Sequence, residues 1–455
     1  MYRTSPETLG IISNFDAPFM CDPATLLNSE IKEKAAQPGK EKTVALPPGA
    51  KTETAGHDKL FPQVPSKDIL HGCTYTFEYK DKSRKVKFGK VLFRPHGILG
   101  RGTLVVEVTC CCNDDGCACA WKDLDLVMKL SFASNTRDPE VTFIQECMDI
   151  VARDPAHNWV LNHLPEVHAT FSIPFGPGTV QGRLKEEFGD DYEERELHGS
   201  IQSRLYELMS LETSREFGQA IYDIVQCHEW VHEHARILHR DISLKNMMVR
   251  RASDGTKFGV LNDFDLALFV DRPKASPTSN HRTGTRPFMA HEQHDPDWKG
   301  PVLARHDLES FFYATLLLSC IYEKPGGKVV SSGAKTHYDT WLESGDDSLS
   351  SQKIRLLHKK HPWLRRIQWA LRFGFVGREY FEVLSDEVDE DQMHELNKKL
   401  TFDDKTLNGK VTYDMMIMTM YTFNEVDLVT RSSKRQAFVD QFRLKWESQR
   451  KTRGF

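Results

Sequence analysis

Ile237–Val249 reads ILHRDISLKNMMV and sets His239, Arg240, Asp241 and Asn246 on one short stretch between two apolar runs. The spacing H-R-D-x-x-x-x-N brings a carboxylate and a carboxamide onto a single short loop. Seventeen residues after Asn246, the run GVLNDFDLALF carries Asp263-Phe264 to the end of a short β-type segment. Further on, Gly284–Glu292 reads GTRPFMAHE. Upstream, Ile221, Ile224, Val225, Trp230 and Val231 fall on a helical period, so a helix feeds the loop.

In this order the three segments resemble the catalytic core of eukaryotic protein kinases, and more narrowly the fungal-type protein kinase family. The local marks are HRDIS followed by Asn246, DFD at Asp263–Asp265 in place of DFG, and the helix HDLESFFYATLLL from His306. GTRPFMAHE overlays the string that closes a kinase activation segment, with His291 where proline is usual. The resemblance extends over about residues 70–430 and is densest over 220–320. It implies an α+β, bilobal protein-kinase-like fold with a small β-rich N-lobe and a large, mainly helical C-lobe. The corresponding division is 1–68 as a flexible N-terminal extension, 69–212 as N-lobe, 213–430 as C-lobe and 431–455 as a basic tail.

The resemblance also distributes roles. It implies ATP and Mg²⁺ as cofactors and a protein serine or threonine hydroxyl as acceptor, because phosphoryl transfer asks a protein for positioning and charge neutralisation. Asp241 matches the residue that orients the hydroxyl, and Asn246 and Asp263 match the Mg²⁺ ligands. Lys129, in LVMK, matches the lysine on the α- and β-phosphates. Its ion-pair partner on the next helix is Glu140, which fits the E-x-x-[FI]-I pattern, or Glu146 nearer the helix middle; Glu140 is preferred. Gly97, Gly100 and Gly102 form the nucleotide loop, although as G-x-x-G-x-G, which a plain hairpin turn would also explain. Adenine is expected on the backbone near Met209–Glu212, with Met209 and Leu211 as contacts.

Lys245 stands four residues after Asp241, where many tyrosine kinases place a basic residue, and Ser243 occupies the lysine position of serine/threonine kinases. Thr285 matches the threonine that serine/threonine kinases tie to the catalytic Asp, and it outweighs Lys245. Asp265 replaces a glycine whose contribution is backbone freedom, so it restricts the segment more than it alters chemistry. Arg240 can pair with a phosphate on the activation segment, for which Ser276, Thr278, Ser279 and Thr283 are candidates. Asp307 resembles the aspartate that anchors the catalytic-loop backbone. Glu292 should meet an arginine in the region of Arg365, Arg366 and Arg372.

The strands expected in the small lobe are YTFEYK, KFGKVLF, TLVVEVTC and DLVMKLSF, followed by a helix capped by Asp138 with Pro139 in its first turn. Residues 186–196 read as an acidic loop and SRLYELMS (203–210) as the strand leading to the hinge. A short helix is expected near Ala24–Ala36. Four cysteines, Cys110, Cys112, Cys117 and Cys119, flank an Asn-Asp-Asp-Gly turn, but two C-x-C pairs suit a plain hairpin better than zinc. The C-terminal stretch from Arg431 carries eight Lys/Arg against two acids, as a solvated helix does; nuclear targeting or partner binding is the alternative.

With 455 residues, 39% of them hydrophobic, the chain can bury one large or two moderate cores. A net charge of −5 gives no sign of nucleic-acid binding. No apolar run suits a membrane span and MYRTSPETLG lacks a secretory pattern, so an intracellular, cytoplasmic or nuclear setting is expected. The scattered cysteines are not a disulfide framework. Composition does not speak to oligomeric state. The rival readings are a small-molecule kinase, disfavoured by GTRPFMAHE, and a pseudokinase scaffold that binds nucleotide or partners without transfer.

Overall fold

The structure, a computed structural model, describes residues 15–16, 70–94, 102–111, 120–176, 179–189, 192–271, 284–295, 297–298, 300–321, 341, 344–357, 364–386, 402–423 and 426–452. Expectations at 24–36, Gly97, Gly100, Cys112, Cys117, Cys119, Ser276, Thr278, Ser279 and Thr283 lie outside these residues. The chain forms two compact units, one of residues 1–137 and 166–204, the other of 138–165 and 205–455. Mixed α+β content, sheet-rich first and mainly helical afterwards, agrees with the expected class.

The first unit is built on an antiparallel sheet of β1 (Thr74–Tyr79), β2 (Lys82–Phe93), β3 (Leu104–Cys110), β4 (Leu126–Ser134), β5 (Val167–Pro174) and β6 (Arg195–Ser203). Their spatial order is β1-β2-β3-β4-β6-β5, with the two-residue strand Phe15–Asp16 on the outer edge of β1. Alternate residues such as Tyr75, Phe77, Val106 and Val108 point into one core, as period-two patterning requires. Tyr75, Phe77, Phe88 and Phe171 stack there at centroid separations of 4.8–6.4 Å.

Two strands differ from expectation. The inner strand of this sheet is β6, part of which reads as acidic loop, while SRLYELMS holds only a two-residue strand, β7 (Tyr206–Glu207), and a 3₁₀ turn at Leu208–Ser210. The apolar alternation of β6 is interrupted at Gly199. A Cβ there would lie 2.1 Å from the Phe171 ring, so the glycine admits an aromatic from β5. A helix, α2 (Val180–Phe188), capped by Thr179, also belongs to this unit.

The second unit contains α1 (Glu140–Arg153), α3 (Ser214–Glu233), α4 (Ala304–Ile321), α5 (Asp346–Leu356), α6 (Arg365–Asp386), α7 (Tyr413–Met420) and α8 (Ser433–Thr452). At α1 the cap position is Pro139, one residue later than Asp138, and no side chain caps it. A capping box of Thr213 and Glu216 starts α3. Its apolar face is buried under the hairpin of β9 (Met247–Arg251) and β10 (Lys257–Leu261). Contact is close enough that a Cβ on Gly259 would sit 2.0 Å from the Ala220 carbonyl oxygen.

The basic C-terminal stretch forms the expected helix, α8, but the residues leading into it are anchored. Arg431 makes a two-pronged bond to the buried Asp223 at 2.8 and 3.0 Å, and Arg435 pairs with Glu229 of α3. Among the described residues, no helix is long and apolar enough to cross a membrane.

Candidate active site

Two short strands, β8 (Ile237–Leu238) and β11 (Leu268–Phe269), pair antiparallel and bracket the chemistry-bearing loop, while β9 and β10 fix its other end. Within the loop, Arg240 has φ 69°, a left-handed conformation that turns the following aspartate inward. The Asp241 amide donates to His239 Nδ1 at 3.3 Å, and His239 Nε2 lies 3.1 Å from the Asn262 carbonyl oxygen. One neutral tautomer, protonated at Nε2, satisfies both. Burial favours that form by lowering the His239 pKa.

The Asp241 carboxylate is held from two sides. Its Oδ1 accepts from the Thr285 amide at 2.9 Å and the Thr285 hydroxyl at 2.8 Å. Asn246 Nδ2 donates to the Asp241 carbonyl oxygen at 2.8 Å and to Oδ2 at 3.1 Å. This orients Asn246 so that its Oδ1 is the oxygen available to a cation. Lys245 is half-buried; burial lowers its pKa, with Glu207 opposing.

Asp263 also takes the left-handed conformation, φ 66°, and the Asn262 amide donates to the Asn246 carbonyl oxygen at 2.8 Å, coupling the two expected metal ligands through backbone. Glu140 Oε1 accepts from the Phe264 amide at 3.0 Å. Glu140, Asp263 and Asp265 each offer a carboxylate oxygen, all within 4.8 Å of one another. Hard oxygen donors of this kind, with the Asn246 carboxamide, suit Mg²⁺. The carboxylate at Asp265, read from sequence only as a lost glycine, is therefore a further potential ligand. Phe264 is fully buried, edge-on to His239 at 4.9 Å.

The remaining expected residues fall as follows. Lys129 lies mid-strand on β4, opposite Val105 and Ser200. Gly102 precedes β3 with φ 55°, and its Cβ position would meet the Phe132 ring at 3.2 Å. Of the adenine contacts, Met209 is half-buried in the 3₁₀ turn, whereas Leu211 is 1% exposed and its amide donates to the Leu208 carbonyl oxygen. Glu146, the alternative to Glu140, lies 4.0 Å from Arg153 of its own helix.

The segment closing the loop accounts for its departures from the usual pattern. Gly284 has φ 143°, and a Cβ there would sit 2.9 Å from Met289 and 3.5 Å from the Arg240 carbonyl oxygen. His291, at the proline position, donates its backbone N–H to Glu309 Oε1 at 2.9 Å, a bond proline cannot make. Its Nδ1 approaches the same oxygen at 3.2 Å, and Tyr313 donates to it at 2.6 Å. Burial pushes the Glu309 pKa up, but these groups prevail and hold it at about 2. The replacement of proline is thus matched by a buried acceptor.

Glu292 does pair with arginine, but with Arg305 and Arg378 rather than Arg365, Arg366 or Arg372, and with His306 at 2.8 Å. Burial opposes its charge, yet His306 and Arg305 keep the carboxyl well below the usual range. Asp307 Oδ2 accepts from the Arg240 amide at 3.1 Å, the anchoring contact expected of it. The same oxygen lies 2.9 Å from His228 Nε2, and His228 Nδ1 lies 2.9 Å from the Tyr413 hydroxyl. Beyond Asp307, this chain from α7 through α3 to the Arg240–Asp241 loop has no sequence signal, since His228 and Tyr413 are scattered single residues.

A family model described as fungal protein kinase matches residues 189–320. Among solved structures, one of vaccinia related kinase 3 is similar, with 14% identity, a TM-score of 0.40, and coverage of 70% of this chain and 89% of that one. No match to a curated protein was found. The family match spans Asp241, Asn246, Asp263 and the GTRPFMAHE segment in the order described above, so over residues 189–320 the chain is similar to fungal protein kinases.

Proposed function

We propose that the chain transfers the γ-phosphate of ATP, with Mg²⁺, to a serine or threonine hydroxyl of a protein. The observation that supports this most is the double hydrogen bond from Thr285 to Asp241 Oδ1. It leaves the carboxylate oriented, and it ties that orientation to the segment where a peptide substrate would dock. In this reading Asp241 receives or orients the hydroxyl proton, and Lys245 faces the transferring phosphate. Asn246 and Asp263 hold Mg²⁺, with Asp265 as an additional carboxylate; bound there, the ion neutralises charge on the phosphates. Lys129 contacts the α- and β-phosphates, Glu140 steadies the Asp263–Asp265 turn, Gly97, Gly100 and Gly102 cover the phosphates, and Met209 flanks adenine, with the buried Leu211 supporting the turn behind it.

A scaffold that binds without transfer is the rival with a specific observation behind it, the Asp265 replacement of the usual glycine. Melting curves with ATP and Mg²⁺ address the first half of the proposal, because a ligand that binds only the folded chain must raise its Tm. The wild-type chain should shift with ATP and Mg²⁺ together, and Asp263→Ala should lose the Mg²⁺-dependent part. No shift under any nucleotide and metal condition would contradict nucleotide binding.

A further inference from the structure

Helix α6 presents apolar side chains on two faces. One face is inside the second unit, with Ile367, Leu371 and Phe375 at 1%, 1% and 5% exposure. The other carries Trp369, Phe373, Val376 and Tyr380, which are 48%, 58%, 50% and 66% exposed. An ordinary surface helix has one apolar stripe and a polar back. Here the second stripe recurs at intervals of four, three and four residues, the 3.5-residue period of a seam between two helices.

The borders of the stripe are not alike. On one side stand Ala370 and Gly377, and nothing lies within 4 Å of where a Gly377 Cβ would be, so another backbone can come close. Arg372 and Glu379, seven residues apart, occupy the other side. In a parallel pair of these helices Arg372 would face Gly377 of its neighbour, with no charge to meet. In an antiparallel pair, Arg372 faces Glu379 of the other copy, and the symmetry makes the contact twice.

We propose that this face docks a second copy of the same chain, the two α6 helices running antiparallel with Trp369, Phe373, Val376 and Tyr380 interleaved and two Arg372–Glu379 pairs at the rim. Self-complementarity of one patch is what a two-fold interface demands. Aromatic side chains bury about 150–250 Å² each when fully enclosed, so a half-exposed stripe offers roughly 350 Å² per copy. That equals the largest apolar patch on an ordinary monomer, often a functional one, and the pair falls below the roughly 1,200 Å² of a standard stable interface. The dimer is accordingly weak and reversible.

The test is sedimentation velocity of the full chain from about 1 to 300 µM, with one variant of each mixture fluorescently labelled. Arg372→Glu alone and Glu379→Arg alone should each weaken self-association at least about tenfold, because each sets like charges opposite each other at both rim contacts. Mixing the two variants should restore association, since every contact is then complementary, and the double variant should associate as the wild type does. A wild-type chain that stays monomeric throughout would overturn the proposal. So would association indifferent to the single reversals, or losses that mixing fails to rescue. A monomer in which Trp369 is shielded from an aqueous quencher would assign the face to a segment of its own chain instead.

Discussion

Thr285 donates both its amide and its hydroxyl to one oxygen of Asp241, at 2.9 and 2.8 Å. The backbone N–H bond survives any substitution at Thr285 except proline, so the hydroxyl can be removed with the loop left in place. A hydrogen bond to a charged group is worth about 1.5–3 kcal/mol, and part of it should appear in the rate. Thr285→Val should lower kcat about tenfold or more with little change in the KM for ATP, and Thr285→Ser should recover most of it. Steady-state kinetics on a peptide substrate would check both.

His291 supplies a backbone N–H to the fully buried Glu309, and the usual proline at this position could not. His291→Pro should therefore destabilise the chain by about 1–3 kcal/mol, the cost of leaving a buried acceptor short of a donor. Pairing it with Glu309→Met removes the stranded carboxylate, so the double variant should be less destabilised than the sum of the single changes. Urea denaturation of the four proteins completes that cycle.

Lys353 of α5 is fully buried, its ammonium over the Tyr313 and Trp341 rings and 3.3 Å from His294 Nε2. Burial lowers its pKa to about 7, with Glu309 and Asp346 opposing. The unfolded value is about 10.4, so between roughly pH 7 and 10 the unfolded chain binds the extra proton and stability rises with pH. The neighbouring His294, lowered to about 4 by burial, titrates in a separate, more acidic window. Lys353→Met should remove the rise. The wild-type minus variant difference, followed by denaturation from pH 7 to 9, should have a positive slope of up to about 1.4 kcal/mol per pH unit.

Arg431 reaches back from the C-terminal segment to Asp223, which has no exposed side-chain surface and whose Oδ2 also accepts from the Gly259 amide at 3.3 Å. Removing one partner of such a pair strands the other in a low-dielectric interior, at a cost of about 3–5 kcal/mol. Arg431→Ala should show a loss in that range by denaturant titration, whereas Lys445→Ala on the same basic stretch should be close to neutral.

The catalytic loop, the Asp-Phe-Asp turn and the GTRPFMAHE segment were legible because their residues are contiguous and their spacing carries the chemistry. The strands of the small unit up to β4 are legible because β-branched and aromatic residues recur along each of them, largely at alternate positions. β6 is not, since Gly199 replaces an inward apolar residue to make room for Phe171, a strand away. The partners of Glu292 were equally hidden. Arg305 and Arg378 are 13 and 86 residues distant, and the packing of α4 and α6 brings them together. The same holds for His228 on Asp307 and for Tyr413 on His228. The sequence pattern at Glu140 points to a lysine partner, whereas its contact with the Phe264 amide joins residues 124 apart and depends on the fold.

The most direct measurement is phosphate incorporation from labelled ATP with Mg²⁺ onto a panel of proteins and peptides, with Asp241→Asn in parallel. Loss of a positioned general base costs about 10²–10⁴-fold, so the variant should transfer at least about a hundredfold more slowly while still binding ATP. The labelled residues in the wild-type reaction should be serine or threonine. Incorporation equal in both proteins, or none in the wild type despite ATP binding, would contradict phosphoryl transfer by this site.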